Sequence, residues 1–184
     1  MKKLLFAILA FAFALPAAKA QVPVMPYDSA RKLIVYTEVV QVAGASQALL
    51  YHRAYEWLKK SYLRAETKIR EKDSANGKLV LESEVRLVYK DKNGKELTVI
   101  DNVKYKVGIY VKDGKYKYEF WNFHTDKGGY PYPMEKYYLR DRSVKISDEY
   151  ADEKLIQTHR EITRLAADLK TSMSRDVVNT KEDW

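Results

Sequence analysis

Between Leu79 and Asn122 apolar and polar residues alternate with a period of two, and two-residue turn signals punctuate the alternation. Asn76-Gly77 precedes the run, Asn93-Gly94 divides it, and Asp113-Gly114 closes its last hairpin. Such dipeptides supply the positive-φ residues of tight hairpin turns, so the segment is committed to adjacent antiparallel strands. In the first long strand Leu79, Leu81, Ser83, Val85, Leu87 and Tyr89 share one face, while Glu82, Glu84, Arg86 and Lys90 share the other. A sheet written this way has one face to bury and one to solvate. The next strand carries a conflict of parity. Counting forward from Asn93-Gly94 turns Thr98 and Ile100 inward, whereas counting back from Asp113 turns Val103, Tyr105, Val107, Ile109 and Val111 inward. Even and odd positions cannot share a face of a regular strand, which predicts a β-bulge near Asp101-Asn102. The last strand then places Tyr116, Tyr118, Phe120 and Asn122 inward, and Lys106 opposite Trp121 on the outer face, within reach of a cation–π contact.

The cover for the apolar face is also written in the chain. Leu33–Val42 is rich in Ile, Val and Tyr and predicts a strand. Ser46 stands at an N-cap position before Leu50, Ala54, Trp57 and Leu58 at helical spacing, with Lys59, Lys60 and Arg64 at the C-terminal end, where cations suit the helix dipole. Thr67, Ile69 and Glu71 alternate as a short strand. Residues 125–147, with Gly128, Gly129, Tyr130, Pro131, Tyr132 and Pro133, are expected to form a long connection. From Asp148 to about Met173 an apolar stripe of Leu155, His159, Ile162, Ala166 and Leu169 predicts a helix about 37 Å long, enough to cross the sheet. The expected architecture is α+β: a curved antiparallel sheet with two helices on one face, in the order β-α-β-β-β-β-α, of a helix-grip-like kind.

The chain opens with Lys2 and Lys3, an unbroken apolar run Leu4–Leu15, Pro16 and the small-x-small triplet Ala18-Lys19-Ala20, the build of a secretory signal peptide. The run is shorter than the roughly 20 residues a membrane span needs. The expected organisation is therefore a signal peptide over 1–20, an extended lead-in over 21–31, one domain over 32–175 and a polar tail over 176–184, the mature protein being periplasmic or secreted with no membrane span. Losing Lys2, Lys3 and Lys19 takes the formal charge from +8 to +5, spread without a basic block. The sequence has no cysteine, which removes disulfides, thiolate metal sites, cysteine nucleophiles and a lipid-bearing cysteine from consideration.

Val39, Val40, Val42, Gly44, Ser46, Leu50, Tyr51, Ala54, Trp57 and Leu58, the Asp73–Gly77 turn and Tyr116-x-Tyr118-x-Phe120-x-Asn122-Phe123 resemble a secreted bacterial family of unknown function with a TATA-binding-protein-like (TBP-like) fold. The similarity spans roughly residues 32–123. It implies a β-α-β4-α topology and supplies no catalytic residue, substrate or cofactor; the name of the fold does not imply DNA binding.

No catalytic constellation stands out, and an enzyme is not expected. His52, His124 and His159 fall on three separate elements, and His52 with Glu56 lacks further ligands, so no metal or cofactor is assigned. There is no G-x-S-x-G elbow and no Gly-rich phosphate loop. Glu82 and Glu84 read as a salt-bridged surface, and the Asp73–Gly77 and Asp91–Gly94 segments as hairpin turns rather than calcium loops. Nucleic acid is set aside as a partner because Glu82, Glu84 and Glu119 dilute the basic outer face and export removes the usual target. Two readings remain. In the first, the chain is a non-enzymatic interaction module of the cell envelope that binds an envelope protein or itself through an aromatic-basic face of Lys104, Lys106, Tyr110, Lys117 and Trp121. In the second, it carries a small hydrophobic or aromatic ligand between the long helix and the sheet, walled by Trp57, Tyr105, Tyr118, Phe120, His124 and His159, with Tyr130 and Tyr132 over the mouth. The chain's 15 tyrosines serve either reading, and the plainest use of them is to fill a wide core.

Overall fold

The computed structural model describes residues 21–90, 95–141, 143 and 147–174; the expected signal segment, the Asn93-Gly94 turn and the polar tail lie outside them. A small hairpin, β1 (Tyr27–Asp28) and β2 (Leu33–Ile34), leads into β3 (Tyr36–Gln41), α1 (Gln47–Ser61), the single turn α2 (Ala65–Lys68), β4 (Ile69–Asp73), β5 (Lys78–Lys90), β6 (Glu96–Lys112), β7 (Lys115–Lys127), β8 (Tyr130–Pro133), the short α3 (Met134–Tyr138) and α4 (Asp148–Met173). The main sheet is antiparallel in the order β3-β7-β6-β5-β4, with β8 pairing the far end of β7. α1 and α4 pack on one face, which is the α+β arrangement expected from the periodicity.

Both helices begin as the sequence dictates. Ser46 Oγ accepts from the backbone N–H of Leu49 at 3.2 Å, and Ser147 Oγ from that of Tyr150 at 3.2 Å. Asp148 and Glu149 occupy the first turn of α4 and Lys170 its last, matching the dipole at both ends. Leu155, Ile162, Leu165, Leu169 and Met173 are buried against Leu50, Trp57, Leu79, Leu81, Leu87, Ile109 and Phe120 in one core. Burial of each such side chain contributes on the order of 1.5–3 kcal/mol.

The predicted bulge is present, one residue from its expected place. Leu87 pairs with Asp101 but Val88 pairs with Val99, so Ile100 is the extra residue. Beyond it the face reverses: Thr98, expected inward, is exposed. Asp101 is left on the helix side, where its carboxylate binds the ammonium of the fully buried Lys154. A second irregularity escaped the parity count. The β6–β7 ladder slips between Lys104↔His124 and Lys106↔Trp121, and Asn122 takes a left-handed φ of +59°. Asn122, expected inward, is therefore exposed, and Phe123 and Thr125 turn into the core instead. Asn is among the residues that best tolerate this conformation.

Two segments fold differently from the expectation. Thr67 lies in the helical turn α2 rather than in a strand. The connection after Thr125 is largely ordered: β7 runs on to Lys127, turns through Gly128 (φ +59°) and Gly129 (φ +83°), and returns as β8. β8 accommodates Pro131 and Pro133 because it is an edge strand, where a missing N–H removes no inner ladder bond. Where β4 ends, β5 continues beside α2, and the side chain of Gln157 from α4 takes a strand's place: its Oε1 accepts from Val88 N–H at 3.0 Å and its Nε2 donates to Val88 C=O at 2.7 Å.

Candidate interaction surface

The residues proposed as a ligand wall do not converge on one space. Tyr105, Tyr118 and Phe120 are at most 6% exposed and pack on one another and on Phe123, with ring centroids 5.8–6.1 Å apart. Their polar tips find protein partners. Tyr118 Oη donates to Glu38 Oε2 at 2.9 Å, and Tyr105 Oη to Tyr62 Oη at 3.4 Å. Burial pushes the Tyr105 phenol up to about 12 and the Tyr118 phenol higher still. Trp57 sits at the α1–α4 contact, its Nε1 donating to Asp168 Oδ2 at 2.8 Å. His159 Nδ1 shares a 2.9 Å hydrogen bond with Tyr36 Oη, and burial holds its imidazole below the usual range. His124 does not meet His159: it borders a cleft on the outer face, Nδ1 donating to the carbonyl of Asn122 at 2.9 Å. Tyr132 is buried against Tyr137 at 4.9 Å, whereas Tyr130 is 78% exposed. The six expected wall residues and two mouth residues are thus divided among core, helix contact, outer face and hairpin.

The residues proposed as an interaction face do share one. Lys104, Lys106, Tyr110, Lys117 and Trp121 all project from the side of the sheet opposite α1 and α4, and Lys106 pairs with Trp121 in register as expected. The Lys106 ammonium itself leans to Glu82, at 3.3 Å. The feature that organises this face is Gly108, which sequence reasoning passed over. A Cβ there would stand 2.8 Å from Tyr110 Oη, 2.9 Å from its Cε2 and 3.0 Å from Trp121 Cζ3. Both rings therefore lie across the strand in the space that a side chain would fill. Val80, paired with Gly108 in β5, is buried on this otherwise open face. Lys78 and Lys117 stand 5.9 and 6.0 Å from the Tyr110 ring, a spacing suited to weak cation–π attraction. A lone glycine within an alternating strand was the available signal, since it marks a close approach.

Next to these rings is a cleft of about 390 Å³, between Arg70 on β4, Glu82 on β5, Lys104 and Lys106 on β6 and His124 on β7. Its charges largely satisfy one another. Glu82 accepts from Arg70 Nε at 2.7 Å and faces Lys106, contacts that hold its carboxyl below the usual range, and Lys104 Nζ reaches Asp126 at 2.5 Å. The outer face is therefore an aromatic centre set in a lattice of ion pairs. Among the described residues no group of three His, Asp or Glu is placed to hold a metal, and no helix is long and apolar enough to cross a membrane.

Residues 36–126 match a family described as a domain of unknown function, DUF4468, with a TBP-like fold. Similar solved structures include a TBP-like protein from Parabacteroides distasonis, 18% identical, covering 78% of this chain and 94% of that one with a TM-score of 0.62. A DUF4468 family protein from Bacteroides ovatus is 15% identical, covering 84% and 93%, with a TM-score of 0.61. At these identities the likeness concerns the fold alone. No curated protein matches the sequence. The strand order, the paired helices on one face and the match across residues 36–126 together show that this chain carries a DUF4468 domain, with its TBP-like fold.

Proposed function

We propose that the domain is an exported, non-enzymatic interaction module that engages a protein of the cell envelope through the outer face of its sheet. The observation that carries this reading is the pair of rings, Tyr110 and Trp121, lying over Gly108 on a face that α1 and α4 leave open. Flat aromatic anchors within a rim of charged residues are the usual core of a protein–protein contact, because they bury much area while losing few rotamers. The apolar start of the chain supports export. The test is site-specific cross-linking in cells from a photoreactive residue at Lys106, beside the rings. A discrete adduct is expected with the native sequence and its loss with Trp121→Ala, the variant retaining the native circular dichroism spectrum. Adducts unchanged by Trp121→Ala would reject the face as the contact.

A further inference from the structure

Among the described residues, four of the five open edges of the main sheet are blunted, that of β6 before Lys104 by the extra residue Ile100. β4 carries the extra residue Arg70 between the pairs Ile69↔Leu81 and Glu71↔Val80, with Lys68 and Lys72 flanking it. β5 beyond the end of β4 is occupied by α2 and by the Gln157 amide. β8 presents Pro131 and Pro133. Bulges, lysines, prolines and covering side chains are the means by which strand edges are kept from pairing with other chains. The fifth edge, β3, has no bulge, lysine or proline, and its one charge is Glu38. Its six residues, Tyr36–Gln41, pair with β7 without a break in register, and they include no proline, glycine, lysine or arginine. Thr37, Glu38, Val39 and Gln41 are exposed, Val39 by 56%. In such a strand alternate N–H and C=O groups point away from its neighbour, and no described residue bonds them on this side.

The chemistry of β3 selects its occupant. Its one charge, Glu38, is already held by Lys170 Nζ at 3.1 Å and by Tyr118 Oη at 2.9 Å, on the helix side of the sheet. Reversed about Val39 and laid against itself, the strand places Val39 opposite the partner's Val39, Thr37 opposite the partner's Gln41 and Glu38 opposite the partner's Val40. No like charges meet, the exposed apolar residue covers its own copy, and two amide- or hydroxyl-bearing side chains face each other. That is an isologous contact, closed by a two-fold axis. We propose that two copies of this chain associate edge to edge through antiparallel pairing of β3 with β3, centred on Val39, to form one sheet continuous across the dimer. The inference is independent of the outer-face reading: the edge joins two copies and leaves both aromatic centres open on the same broad surface.

The test is sedimentation equilibrium of the mature chain with two charge variants, Val39→Glu and Val39→Lys. The native chain is expected to dimerise with Kd in the micromolar range. Each variant alone sets like charges opposite each other across the axis and should weaken the dimer at least about tenfold. An equimolar mixture of the two should recover it as a heterodimer, a result that a merely structural role for Val39 would not give. Hydrogen exchange supplies a second measurement: protection of the β3 amides in the native chain should rise with protein concentration. A native chain that stays monomeric, folded variants that dimerise as the native chain does, or a mixture that fails to recover association would each overturn the proposal. Trp121→Ala should leave the dimer intact, so failure of the face and failure of the edge are read separately.

Discussion

Asp101 and Lys154 should respond unequally to removal, although they form one ion pair. The Lys154 side chain is 1% exposed and that of Asp101 22%, so only the lysine depends on its partner for solvation. Asp101→Ala leaves a buried ammonium facing the rings of Tyr150 and Tyr137, at 4.5 and 5.1 Å. Stranding one member of a buried pair costs roughly 3–5 kcal/mol, and two desolvated cation–π contacts offset about 1 kcal/mol of that, for a net loss of about 2–4 kcal/mol. Lys154→Met keeps a long unbranched chain in the same space and lets the Asp101 carboxylate hydrate, so it should cost no more than about 1 kcal/mol. The double variant should resemble Lys154→Met, which implies a coupling of about 2–4 kcal/mol, the whole of the Asp101→Ala loss. Urea unfolding followed by circular dichroism measures all three, and for a domain of this size Asp101→Ala should lower Tm by about 4–16 °C. Equal losses for the two single variants, or a double variant that loses the sum of both, would refute the argument that exposure sets the cost.

Tyr116 Oη is buried with no partner among the described residues, so Tyr116→Phe should leave stability unchanged or raise it by up to about 1 kcal/mol in the same urea assay. At Gly77, φ is +63° and a Cβ would lie 2.4 Å from the carbonyl oxygen of Val111; Gly77→Ala should cost at least about 2 kcal/mol and slow formation of the β4–β5 hairpin in stopped-flow refolding. Burial raises the phenols of Tyr36, Tyr62, Tyr105, Tyr116 and Tyr118, that of Tyr105 to about 12. Because these folded values exceed the unfolded value near 10, their stabilising effect is complete below pH 10 and is lost as pH rises towards and through 12. Tyrosinate absorbance at 295 nm should therefore show this group ionising together with the loss of circular dichroism, whereas ionisation that runs ahead of unfolding would contradict their burial.

The hairpin order and both helices were legible because each depends on a local signal: a turn dipeptide, a serine cap, a period of 2 or of 3.6. The bulge at Ile100 was legible because apolar residues on either side of it disagreed in parity. The irregularity at Asn122 gave the same kind of evidence, Phe120 and Phe123 having opposite parity, but Asn122 itself can face either way and so concealed the slip. β8 was read as loop because its prolines weigh against a strand, and only the sheet's outline shows that the segment lies on an edge. The candidate wall failed for another reason. A pattern of inward side chains states what is buried, not whether the space among those residues is filled, and Tyr105, Tyr118 and Phe120 fill it with one another. The outer face needed only parity, and Lys104, Lys106, Tyr110, Lys117 and Trp121 were placed correctly.

Gln157 has a consequence for how the molecule comes apart. At Val88 the backbone is held not by a strand but by an amide borne on α4, so the helix cannot lift without exposing core and strand edge at the same moment. A molecule whose last helix has undocked would offer the next molecule both a groove shaped for α4 and a bare run of β5. Helix exchange between two chains satisfies both at once, and prolonged warming at high concentration should favour such interlocked pairs over amorphous precipitate.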